Sequence, residues 1–144
     1  MGDTLFSLQE YDDALMAIDH ALQIDSQHAA LWDTKGNILR RQRQPDAALA
    51  LHQRALLLAP ENALAWFDKA NDLRDLKRHA EALDDYDHAL ALDPTLAGAW
   101  YNRGNVLATL HMFEEALVSY AQALHYDAGL LSAWYNQEIG RAHV

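Results

Sequence analysis

Residues 99–105 read AWYNRGN, and close variants of that phrase recur along the chain. AWFDKAN lies at 65–71, LWDTKGN at 31–37 and AWYNQEI at 133–139. Trp32, Trp66, Trp100 and Trp134 are thus 34 residues apart at every step. Other positions keep the same interval. Gly36, Ala70 and Gly104 each follow a Trp by four residues. Ala14, Ala48, Ala82 and Ala116 form an unbroken alanine column, as do Ala21, Ala55, Ala89 and Ala123. Leu5, Leu39, Leu73 and Leu107 form another, and Leu22, Leu56, Leu90 and Leu124 a fourth. A fixed period of this length marks a stack of similar supersecondary units.

Each period reads as two helices. Trp100, Gly104, Leu107 and Leu110 advance by three- and four-residue steps along one helical face. After a polar break near His111, Phe113, Ala116, Leu117, Tyr120, Ala123 and Leu124 do the same. Pro45 suits the first turn of a second helix, where a missing N–H costs nothing. Pro60 and Pro94 fall in the short links between units and stop the preceding helix. Columns of small residues permit helices to cross closely, and stacking supplies the core that one pair cannot form alone.

These columns resemble the tetratricopeptide repeat (TPR) family: Trp, a small residue four later, alanines in the second helix and a closing Pro. The resemblance implies an all-α, right-handed α-solenoid of antiparallel helix pairs. Residues 29–62, 63–96 and 97–130 match whole units. Residues 1–28 match the end of a first helix plus a full second helix, and 131–138 the start of a further unit. Mild departures are Lys35, Lys69 and Arg103, three after each Trp, and His52 in place of an aromatic.

The resemblance also implies where binding takes place, since TPR proteins use the concave face lined by their first helices. Asn37, Asn71 and Asn105 recur there, each five after its Trp, with Asn102 and Asn136 one turn away. Phe67, Tyr101 and Tyr135 directly follow their tryptophans, where the first full unit has Asp33. An amide offers donors and an acceptor, so a ladder of them suits an extended peptide backbone. Rings beside it supply apolar contact. The same asparagines also suit the tying of adjacent helices, and the two roles coexist. Arg40, Arg41 and Arg74 fall on inward parts of the first helices and are candidates for acidic groups. The carboxylate-clamp subtype is not expected, because Asp33 or an aromatic replaces its first Lys and Asn102 and Asn136 stand where its Arg belongs.

The balance of 11 basic against 21 acidic residues, a formal −10, argues against nucleic acid or an anionic membrane as partner. Cysteine is absent, which excludes disulfides and thiol chemistry. The eight histidines form no metal motif, and the carboxylates of 84–93 keep helical phase. No phosphate loop or positioned serine triad is present. The expectation is a scaffold rather than an enzyme, without cofactor, holding a protein or peptide segment. The alternative is the substrate-recruiting arm of a larger enzyme such as a glycosyltransferase, protease or kinase. The opening residues have no signal-peptide character, so a cytoplasmic location is expected.

The last copy breaks after SAWYNQ. Glu138 takes the small-residue column, and residues 139–144, IGRAHV, follow none. Those six residues match the translation of a common short-read sequencing adapter up to its stop. They are expected to be a non-native tail on a chain fragment. Uncapped ends lead to the expectation of fraying at 1–9 and 135–144, or end-to-end association through uncovered apolar edges.

Overall fold

The computed structural model describes residues 2–144, with side chains from residue 8 onward. The expected position of Leu5 in its column and the fraying expected at residues 1–7 lie outside the described side chains. Eight helices follow one another: α1 (Gly2–Ile24), α2 (Ala29–Arg41), α3 (Pro45–Leu58), α4 (Ala63–Asp75), α5 (His79–Leu92), α6 (Ala97–Thr109), α7 (Phe113–Tyr126) and α8 (Leu131–Arg141). The all-α, helix-pair architecture expected from the sequence is the observed one. The chain divides into two compact units, Met1–Glu61 and Asn62–Val144.

Close crossing of α2 with α3, α4 with α5, and α6 with α7 forms the main contacts. A Cβ added at Gly104 would lie 2.6 Å from the Tyr120 ring, and one at Gly36 2.6 Å from the His52 ring. Small residues at that column are therefore a steric requirement of the ring opposite. The alanine columns explain themselves in the same way. Ala48, Ala82 and Ala116 are completely buried, and Ala55, Ala89 and Ala123 nearly so. Helices meet there with nothing larger than a methyl between them.

Trp32, Trp100 and Trp134 each pin the link that precedes their helix. The indole N–H of Trp32 donates to the Ser26 carbonyl at 2.9 Å, that of Trp100 to Pro94 at 2.8 Å and that of Trp134 to Ala128 at 3.0 Å. In every case the acceptor lies six residues upstream, in the link before the helix. The rings bury against helices as well. Trp32 joins Ile18, Leu22 and Ile38, and Trp100 packs on Ala123, Leu124 and Ala133.

Inside each full pair the first helix ends in a Schellman motif. Lys77 N–H donates to the Arg74 carbonyl and Arg78 N–H to the Leu73 carbonyl, with Lys77 at φ 61°. Arg43 (φ 62°) and His111 (φ 61°) repeat that geometry at the equivalent positions. The left-handed residue is normally glycine, and none of the three is.

At the start of the chain α1 runs through Gly2–Ile24 as one helix. Gln9 stands where Arg43, Lys77 and His111 turn left-handed. At the other end α8 continues to Arg141, past residue 138. Gly140 is buried there, its Cα facing Leu117, and Glu138 bonds Arg141 one turn on.

Replacing the left-handed Lys77 by Gly removes a Cβ clash at the cost of chain entropy, and is expected to stabilise by about 0.5–1 kcal/mol. Lys77→Val is expected to destabilise by about 1 kcal/mol or more. Urea midpoints of the two variants check both signs.

Candidate functional site

In the Asn62–Val144 unit the first helices α4, α6 and α8 lie side by side, each touching the next. Their asparagines are joined into two equivalent networks. Asn71 Oδ1 accepts from the Tyr86 hydroxyl at 2.5 Å and from Asn102 Nδ2 at 3.0 Å. Asn105 Oδ1 accepts from the Tyr120 hydroxyl at 2.6 Å and from Asn136 Nδ2 at 2.9 Å. One carbonyl thus receives the second helix of its own pair and the first helix of the next pair. Both of its lone pairs are used. The Nδ2 groups of Asn71 and Asn105 have no acceptor among the described residues.

The Met1–Glu61 unit differs because His52 replaces the tyrosine. His52 is fully buried, with Nε2 3.6 Å from Asp33 Oδ1. Asn37 Nδ2 turns instead to Asp33 Oδ2, at 3.5 Å.

Phe67 and Tyr101 are packing rings as well as surface. Phe67 lies 6.2 Å from the Tyr86 ring and reaches across to Gly98 on α6, where an added Cβ would be 3.3 Å away. Tyr101 lies 6.1 Å from the Tyr120 ring, and its hydroxyl accepts from Asn136 Nδ2 at 3.2 Å. Tyr135, on the last helix, is 68% exposed. Arg74 pairs with its neighbour Asp75 at 3.3 Å, Arg41 is exposed and Arg40 half-buried. The structure therefore brings Asn71, Asn102, Asn105, Asn136, Phe67 and Tyr101 together.

Tyr86 and Tyr120 are the hydrogen-bond partners of these asparagines that sequence reading missed. The signal was present: each stands fifteen residues after an asparagine of the column. Tyr120 is almost completely buried, and burial, with Tyr101 close by, pushes its hydroxyl up to about 12. It stays a proton donor throughout the physiological range.

The cations that departed from the family pattern bind second helices. Lys35 pairs with Asp19 at 2.8 Å and Arg103 with Asp87 at 2.8 Å, each on the preceding helix. Arg103 also donates to Ser119 at 2.6 Å. Lys69 pairs with Asp85 of its own unit at 3.4 Å, where Gln53 occupies the column of Asp19 and Asp87. Asp85 is buried, and desolvation raises its carboxyl above the ordinary value despite the pull of Lys69.

Beside the second network lies a cavity of about 320 Å³, lined by Asn105, Ala108, Thr109, Phe113, Tyr120, Asn136, Ile139 and Gly140. It offers amide donors at one edge and apolar wall elsewhere, a setting for a carbonyl next to an apolar side chain. No helix among the described residues is long and apolar enough to cross a membrane.

Comparison with known proteins agrees with this geometry. Tetratricopeptide repeat models match residues 29–72 and 97–129, and a TPR repeat model matches 70–110. No curated protein matches by sequence. Among solved structures, MamA superposes with a TM-score of 0.85 at 19% identity, over 97% of this chain and 82% of that one. YrrB, a TPR protein with an unusual peptide-binding site, gives 0.77 at 28% identity, covering 98% of this chain and 73% of that one. The first TPR of Spaghetti (RPAP3), bound to the HSP90 peptide SRMEEVD, gives 0.78 at 26%, covering 82% and 96%.

Asn105→Ala strands the buried Tyr120 hydroxyl and is expected to destabilise by about 1–3 kcal/mol. Adding Tyr120→Phe to that variant is expected to recover part of the loss, a coupling that a denaturation double-mutant cycle measures. For Asp85 the raised native pKa means the folded state binds its proton more readily than the unfolded one. Its contribution to stability therefore falls as pH rises from the ordinary value of 3.8 through the raised one. Wild type minus Asp85→Asn, compared by urea denaturation across that window, is expected to show this slope.

Proposed function

We propose that this chain, which belongs to the tetratricopeptide repeat family, holds an extended segment of a partner protein along its first helices, the concave face of the family pattern. A protein-interaction scaffold is the role its fold supports, and YrrB and the Spaghetti domain supply peptide-binding examples of that fold.

One observation carries the finer reading. Asn71 and Asn105 spend their carbonyl oxygens on the stack, which leaves an amide donor on each of two adjacent first helices. Packed helices lie about 8–10 Å apart. An extended peptide rises about 3.3 Å per residue, so such donors meet a backbone carbonyl about every third residue. Each bond nets only about 0.5–1.5 kcal/mol, so apolar contact must add affinity. Exposed Tyr135 and the cavity beside Asn105 and Phe113 provide it. Asn102 and Asn136 hold the donors' carbonyls in place. Arg40, Arg41 and Arg74 lie toward the ends of α2 and α4, and Asn37 belongs to the same column in the other unit. A net charge of −10 without a carboxylate clamp favours a neutral or basic segment over an acidic one.

Asn→Asp separates the two roles, because it keeps the acceptor and removes the donor. Random nine-residue peptides displayed on phage and selected on the wild-type chain supply the probe. Synthetic copies of the enriched peptides are expected to bind Asn105→Asp at least about ten-fold more weakly, with the fold retained by circular dichroism. Enrichment of no peptide, or equal binding to the variant, contradicts the reading.

A further inference from the structure

We infer that the segment held across α4 and α6 is proline-rich, lies in the polyproline II conformation and repeats its contacts at every third residue. This rests on the reading of Asn71 and Asn105 as peptide-binding donors, and it names the ligand that those donors fit.

Spacing disfavours a flat strand. Asn71 and Asn105 stand on adjacent first helices, which pack about 8–10 Å apart. In a β-strand successive residues face opposite sides, so residues three apart, about 10 Å along it, point in opposite directions. Residues two apart face the same way but span only about 7 Å. A polyproline II helix has three residues per turn and rises about 3.1 Å per residue. Every third residue therefore returns to the same side, about 9 Å further on. Of the two extended conformations, this one presents like groups at the interval of the helices.

Hydrogen-bonding chemistry points the same way. Asn71 Oδ1 and Asn105 Oδ1 each accept two bonds from the stack, so the row that the two form offers N–H groups. A strand brings as many N–H groups as carbonyls, and along that row its N–H groups find no acceptor. Proline has no N–H, so a proline-rich segment presents carbonyls alone. The segment also arrives already ordered, with little conformational freedom left to lose.

A seat for proline rings lies one turn back along the same helices. Phe67 and Tyr101 precede Asn71 and Asn105 by four residues, on the same helical face, and both are half-buried. Leu64, 55% exposed, continues the row toward the start of α4. On α6 the column of Leu64 holds Gly98, which is exposed. Even a Cβ at Gly98 would lie 3.3 Å from the Phe67 ring. The glycine thus keeps open the space against that ring, where a side chain would otherwise lie. Proline rings docked on aromatic side chains are the general mode by which polyproline II segments are recognised.

Titration of the 15N-labelled chain with L-nonaproline tests this, with D-nonaproline, its mirror image, as the control of equal composition. L-nonaproline is expected to shift the side-chain amide signals of Asn71 and Asn105 saturably, and D-nonaproline to bind at least about ten-fold more weakly. Gly98→Leu fills the seat with the side chain that α4 already carries at Leu64. It is expected to bind L-nonaproline at least about ten-fold more weakly, with an unchanged circular dichroism spectrum. Equal binding of the two enantiomers, or unchanged affinity in Gly98→Leu, overturns the assignment. If peptides selected from the random library bind through Asn105 while L-nonaproline moves neither amide, the scaffold reading stands and the proline assignment falls. If no peptide of either kind binds, both fall.

Discussion

A tyrosine hydroxyl must find an acceptor when its ring is driven into a helix crossing, and this structure is arranged around that need. The Tyr120 ring sits over Gly104, and its hydroxyl reaches the very next residue, Asn105. Tyr86 is buried too, and its hydroxyl reaches Asn71, next to the buried Ala70. Without that acceptor a buried hydroxyl costs about 1–3 kcal/mol. The carbonyl that satisfies it has a second lone pair, and the next unit's Asn102 or Asn136 takes it. One atom therefore secures a pair internally and fixes its neighbour's position. What remains on Asn71 and Asn105 is a donor, and the proposed recognition of a peptide backbone follows from what the stack leaves over.

Much of the fold was legible because sterics repeat with the sequence. A column of alanines has one economical explanation, two helices in close contact, and Ala82, Ala89, Ala116 and Ala123 are indeed buried. The tryptophans were legible as packing, but their hydrogen bonds to the link six residues upstream were not, since the acceptor is a backbone atom. The asparagines were ambiguous for a physical reason. An amide suits a ligand and a neighbouring helix equally well, and only the position of Tyr86 and Tyr120 decides which of its atoms is used.

The departures carry information too. Lys35, Lys69 and Arg103 read as exceptions to an apolar column, yet each bonds an acid on a second helix. The choice of helix follows the acids: Asp19 and Asp87 lie behind, whereas Lys69 turns to Asp85. The continuous α1 could not be read, because Gln9 and its neighbours fit a helix as readily as a turn. The left-handed geometry at Arg43 and Lys77 is imposed by the return of the second helix, since neither residue favours it.

The division of labour within each asparagine is open to direct observation by proton exchange of the side-chain amides in the free chain. Asn136 donates to Asn105 and to Tyr101, whereas Asn105 donates to nothing among the described residues. In 15N-resolved spectra the Nδ2 protons of Asn136 are predicted to exchange slowly and those of Asn105 to exchange with water at close to the free rate. Slow exchange at Asn105 with fast exchange at Asn136 would mean that the carbonyls face outward, and the account of the stack and of its binding face would fall together.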